Sequence, residues 1–148
     1  MANKKIAYIQ FPGSNTENET VNTLKSHGLT PVGHFWNNSP SLLGKYDGFI
    51  ILGGFSFEDR SRSGIIASLE PVMQELKKQA LLGKPILGIC NGAQILVESG
   101  LVPGNEGFNT LVSLTDNKRM VGNRIVGTGY YNKSVSYTHL RAHETCHN

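Results

Sequence analysis

The stretch Pro85-Ile86-Leu87-Gly88-Ile89-Cys90-Asn91-Gly92-Ala93-Gln94 decides the fold. An apolar run, a Gly-x-Cys-x-Gly turn and a helix-like sequence follow one another within it. That order is expected where a buried strand delivers a nucleophile onto a sharp turn ahead of a helix. A helix N-terminus favours an anion such as a thiolate. Gly88 and Gly92 leave room where side chains would collide at such a turn. The backbone N–H of Asn91 would face an oxyanion forming on a carbonyl attacked by Cys90, supplying one half of an oxyanion hole. A buried core cysteine is the alternative; the glycines on both sides favour the nucleophile.

Upstream, residues 46–52 form a strongly apolar strand candidate that stops at Gly53-Gly54. In a parallel sheet this places the two glycines at the same carboxyl edge as Cys90, where open α/β folds bind ligands. They let a backbone approach a substrate closely and offer the second oxyanion donor; a plain turn is the alternative. Residues 5–10 and 31–36 read as two further strands. Between them Ser14-Asn15-Thr16-Glu17 has capping-box spacing, and Gly28 is placed to end the helix that follows. Apolar residues at helical spacing predict one long helix over 65–82, with Pro71 inside its first two turns allowing a later start. Residues 91–99 give the next helix, ended by Gly100. Near-continuous apolar strands alternating with helices predict an α/β fold, a mostly parallel sheet flanked by helices on both faces. Beyond Pro103 two strands are expected, at 110–115 and 124–128, joined by a turn at Asp116-Asn117.

The chain has 148 residues, 39% of them apolar, with 17 glycines and a formal net charge of +3. That is the composition of one globular, turn-rich domain. Lys and Arg are scattered, which gives no reason to expect nucleic acid. No apolar run reaches the length of a membrane helix, and Met1-Ala2-Asn3-Lys4-Lys5 leads straight into a strand, so a cytoplasmic protein is expected. Two cysteines make no disulfide framework.

Phe11-Pro12-Gly13-Ser14-Asn15, Gly53-Gly54-Phe55-Ser56-Phe57, Arg62-Ser63-Gly64-Ile65-Ile66-Ala67 and Gly88-Ile89-Cys90-Asn91-Gly92-Ala93-Gln94 occur in this order. Together they resemble the glutaminase subunit of phosphoribosylformylglycinamidine synthases, class I (triad-type) glutamine amidotransferases of purine biosynthesis with a flavodoxin-like fold. The resemblance covers about residues 4 to 133. It implies that Cys90 attacks the glutamine side-chain amide, and that Gly53 or Gly54 forms an oxyanion hole with Asn91. It further implies that Gln94 helps to hold the substrate. The released ammonia would pass to a synthetase subunit, assembled with a small accessory subunit. No cofactor is implied on the glutaminase, and ATP and magnesium would belong to the synthetase. Leu52 stands where the family often has proline. Asp59, Arg60 and Arg62 lie in a loop that could meet the partner, although a solvated charged face explains them equally well.

The family's triad ends in a His-x-Glu far downstream of the cysteine. A base must take the thiol proton, and an acid must orient the base. His27 and His34 are not in that place. His139, His143 and His147 crowd the last ten residues, and His143-Glu144 lacks the spacer. Residues 134–148 instead resemble the translation of a sequencing-library adapter, a segment to be excluded from fold reasoning. The expectation is therefore an amidotransferase domain over 1–133, incomplete at its C-terminus, followed by a non-native, disordered tail over 134–148. The histidines and Cys146 of that tail are then accidental, without a metal site. Such a chain would hydrolyse little or no glutamine. Two other readings remain at this stage: a related cysteine-elbow hydrolase or chaperone, and a non-catalytic module that docks on a synthetase.

Overall fold

The computed structural model describes residues 3–114 and 116–129. The expectations for residues 134–148, including His139, His143, Glu144, Cys146 and His147, lie outside the described residues. Residues 3–114 form one compact unit, and residues 116–129 belong to a second.

The first unit is built on a parallel sheet of four strands: β1 (Lys5–Gln10), β2 (Thr30–Phe35), β3 (Gly48–Ile51) and β4 (Ile86–Gly88). Their spatial order is β2-β1-β3-β4. The register pairs Ala7 with Val32 and Phe49, and Ile50 with Leu87. Successive strand residues point to opposite faces. Ala7, Ile9, Phe49 and Ile51 therefore share one face, where they pack with three helices in a continuous core. These are α2 (Ile65–Ser68), α3 (Pro71–Leu81) and α4 (Asn91–Glu98), contributing Ala67, Val72, Met73, Leu76, Ile95 and Leu96. Helix α1 (Glu17–Ser26) lies against the other face, where Thr20, Thr23 and Leu24 line an apolar pocket with Ile50, Leu87 and Ile89. Helices on both sides of a parallel sheet agree with the near-continuous apolar strands. On the α1 side the cover is thin, and Leu87 and Ile89 are 54% and 44% exposed.

Four sequence expectations are corrected. The single helix over 65–82 is two helices. Pro71 is the first residue of α3, and Glu70 before it is extended (φ −65°, ψ 147°), because the proline ring disfavours helical backbone in its predecessor. The capping box at Ser14 does not form. Ser14 Oγ accepts the Phe11 N–H at 3.0 Å, Glu17 Oε1 accepts from Gln10 Nε2 at 3.1 Å, and α1 starts behind Thr16 with no side-chain cap. Residues 110–114 carry no strand. In the second unit, β5 (Lys118–Val121) and β6 (Arg124–Thr128) pair antiparallel, so the turn is Gly122-Asn123 rather than Asp116-Asn117. Gly122 has φ +57°, the left-handed backbone that two-residue hairpin loops require.

His34 on β2 is fully buried, edge-on to Tyr46 with ring centroids 6.2 Å apart, and neither ring nitrogen has a hydrogen-bond partner among the described residues. Burial lowers its pKa below the ordinary 6.5. The unfolded chain then binds the proton more readily than the folded one, so stability falls as pH drops below about 6.5. Denaturant midpoints measured from pH 7.5 down to 5 are expected to decline, and His34→Leu is expected to flatten that decline. A slope unchanged by the substitution would show that other groups set it.

Candidate functional site

Cys90 sits between β4 and α4 as the N-cap of the helix, with φ 54° and ψ −113°. This backbone conformation is costly for a non-glycine residue and persists only where its surroundings impose it. The surroundings are glycines. A Cβ on Gly88 would lie 2.6 Å from the Gly92 carbonyl oxygen and 2.7 Å from Leu96 Cδ1. A Cβ on Gly92 would overlap the Ile51 carbonyl oxygen of the neighbouring strand. The first turn of α4 is thus pressed onto the ends of β3 and β4, backbone against backbone. The turn is closed by Gly92 N–H to Ile89 O at 2.8 Å and Ala93 N–H to Cys90 O at 3.0 Å. The side chain of Cys90 is left exposed and unbridged.

Gly53 and Gly54 follow β3 and come to this same edge. A Cβ on Gly53 would stand 3.4 Å from Cys90 Cβ. The two glycines differ in what their N–H groups do. Gly53 N–H donates to Thr16 Oγ1 at 3.3 Å. Gly54 bridges to Ser14 through the bonds of its neighbours, Phe55 N–H to Gly13 O at 2.9 Å and Asn15 N–H to Gly53 O at 3.2 Å. Among the described residues, the N–H groups of Gly54 and Asn91 have no acceptor.

The loop after Gly54 is held firmly. Phe57, Glu58 and Asp59 all have left-handed backbone, with φ 53°, 58° and 48°. The Phe57 ring anchors them, 6.3 Å from Phe11 and 5.8 Å from Trp36 between centroids, and Phe57 N–H donates to Pro12 O at 2.8 Å. Arg62 makes a two-pronged bond to Glu98, Nε to Oε1 at 2.5 Å and Nη2 to Oε2 at 2.6 Å. The Glu98 side chain is only 2% exposed. Of the charged loop residues named above, Arg62 is therefore committed to the C-terminal end of α4, and Arg60 pairs with Glu58 at 2.9 Å. The Arg62–Glu98 pairing is what makes a carboxylate buried in α4 tolerable.

Gln94 lies one turn into α4, on the same side as Asn91, and its Oε1 accepts from Asn91 Nδ2 at 3.0 Å. Asn91 Oδ1 in turn accepts the Ser56 N–H at 3.0 Å. The sequence gives no sign of Thr16 or Ser56 as site residues, because each joins the site through a bond spanning more than thirty positions. The described histidines stand apart from this edge: His27 ends α1, and His34 lies in β2, at the opposite edge of the sheet from β4. Among the described residues no three His, Cys, Asp or Glu side chains are grouped to hold a metal ion, and no helix is long and apolar enough to cross a membrane.

Residues 3–138 match the family model of the CobB/CobQ-like glutamine amidotransferase domain. The chain is 47% identical over 137 residues to the phosphoribosylformylglycinamidine synthase subunit PurQ of Methanothrix thermoacetophila, covering 93% of this chain and 50% of that protein. Against the subunit of the same name from Staphylococcus saprophyticus it is 39% identical over 147 residues, covering 97% and 65%. The chain thus spans about half to two thirds of the length of these relatives. Among solved structures, one chain of PurLQS from Thermotoga maritima superimposes with a TM-score of 0.62 at 35% identity, over 67% of this chain and 45% of that one.

The close approach at Gly92 predicts a clear contrast between two glycines. Gly92→Ala is expected to cost about 3 kcal/mol, because the methyl group must displace backbone. Gly28→Ala, with φ +71° and open space around it, is expected to cost only about 1 kcal/mol. Urea midpoints of the two variants decide it. Equal losses would mean that α4 does not rest on β3 as described.

Proposed function

Because the chain belongs to the family of CobB/CobQ-like glutamine amidotransferase domains, we propose that its site performs the glutaminase step of a phosphoribosylformylglycinamidine synthase in cytoplasmic purine biosynthesis. Cys90 Sγ attacks the side-chain amide carbon of glutamine, and a C–S bond forms. The oxyanion of the tetrahedral intermediate is met by the N–H groups of Gly54 and Asn91, with Gly53 leaving space beside the thiol. The C–N bond breaks, ammonia leaves with a proton, and water hydrolyses the thioester to glutamate. Gln94 holds the substrate. A synthetase subunit, supported by a small accessory subunit, takes the ammonia and uses ATP with magnesium to make the amidine; this chain carries no cofactor.

The observation that carries the reading is the exposed thiol on a positive-φ turn, close to Gly53, with the N–H groups of Asn91 and Gly54 lacking an acceptor among the described residues. The names of the relatives and the assembly named for the solved neighbour support the pathway and the partners. A base for the thiol, and an acid to orient it, are not among the described residues around Cys90. By itself this polypeptide is therefore proposed to turn glutamine over slowly.

Glutamine itself tests the reading. It is expected to slow alkylation of Cys90 by iodoacetamide in a saturable way, and asparagine, one methylene shorter, is expected to protect less. No protection by glutamine at millimolar concentration would overturn the assignment. Ammonia release by the chain is expected to stay near background, and turnover matching a full-length PurQ subunit would refute the missing base.

A further inference from the structure

The hydrogen bonds around Asn91 form a directed chain whose polarity can be read without ambiguity. Oxygen and nitrogen of a side-chain amide are assigned from their partners, and a backbone N–H can only donate. Ser56 N–H reaches one end of the Asn91 amide at 3.0 Å, so that end is the oxygen. The other end is then the NH2 group, and it faces Gln94 at 3.0 Å. Gln94 must answer with its oxygen, which turns its own NH2 group away from Asn91. Asn91 is 2% exposed, while Gln94 is only half-buried. The inner member of the pair is thus locked by backbone, and the outer member reaches the surface beside Cys90.

We propose that the Asn91 side chain is a positioning residue that sets the hydrogen-bonding sense of Gln94, fixing it as a donor toward the ligand. This rests on the glutaminase reading above and adds a chemical demand to it. The ligand group that meets Gln94 is an acceptor, either the α-carboxylate or the amide oxygen of glutamine. The role belongs to the side chain of Asn91 and is separate from that of its N–H. The bond from Ser56 also makes the polarity depend on the loop after Gly54, so the loop and the recognition amide are set together.

Asn91→Asp inverts the sense with little change in shape. One aspartate oxygen still accepts the Ser56 N–H; the other replaces the NH2 group and obliges Gln94 to turn and donate inward, presenting its oxygen to the ligand. The readout is the glutamine concentration that halves the rate of Cys90 alkylation, each variant being compared with its own glutamine-free rate. Asn91→Asp is expected to raise that concentration at least tenfold. In a Gln94→Ala background the same substitution is expected to change it less than twofold, because nothing is left to invert. Equal losses in both backgrounds, or none in the first, would overturn the proposal. Should Asn91→Asp fail to fold, Gln94→Glu decides: its outward oxygen is expected to weaken protection beyond that of Gln94→Ala, and protection equal to or better than that of Gln94→Ala would overturn it. Absence of protection in the unaltered chain would instead sink the glutaminase reading, and this inference with it.

Discussion

Everything at this site depends on the backbone contact between α4 and the ends of β3 and β4. Where Gly92 meets the Ile51 carbonyl there is no room for a methyl group, and Gly88 is pressed on Gly92 somewhat less closely but still too tightly for a Cβ. Such contacts fix the helix more rigidly than interleaved side chains would, since no rotamer change can relieve them. The turn that joins strand to helix then has one path open to it, and Cys90 takes the left-handed conformation that this path requires. The thiol is exposed as a consequence of packing behind it.

Polar links tie a second layer to that frame. Thr16 holds Gly53, Asn91 holds Ser56, and Arg62 holds Glu98 at the far end of α4. The first ties Gly53 to the start of α1, and the other two tie the loop after Gly54 to α4, the helix behind the nucleophile. Together they make one rigid corner from three separate segments. The run of left-handed residues from Phe57 to Asp59 is held within this corner, with the Phe57 ring packed against the aromatic residues Phe11 and Trp36.

The sequence was informative wherever the governing interactions are local. The bounds of β1 and the strand-turn-helix around Cys90 follow from short apolar runs and glycine spacing. Pro71 is visible in the sequence and points to a later helix start, but not to a division: its ring disfavours helix at Glu70, and the expected helix becomes two. Ser14 had the spacing of a cap, yet its hydroxyl serves Phe11, because the Phe11-Pro12-Gly13 turn competes for the same acceptor. The apolar run over 110–114 found no partner strand within the described residues, which periodicity alone cannot foresee. Cys90, Gly53, Gly54, Asn91 and Gln94 are candidates from the sequence, and the structure brings Gly53, Cys90, Asn91 and Gln94 to one edge of the sheet. The different duties of Gly53 and Gly54, and the bond from Ser56 to Asn91, were not. They depend on segments brought together across the sheet.

On the proposed glutaminase reading, this corner puts one thiol against a glutamine-shaped ligand. The most direct measurement is peptide mapping by mass spectrometry after treating the whole chain with a glutamine-mimicking electrophile, such as a diazo-ketone or chloro-ketone analogue bearing the α-amino and α-carboxyl groups. One adduct per chain is expected, on Cys90, with Cys146 unmodified and with labelling suppressed by excess glutamine. Labelling of both cysteines at similar rates, insensitive to glutamine, would contradict it.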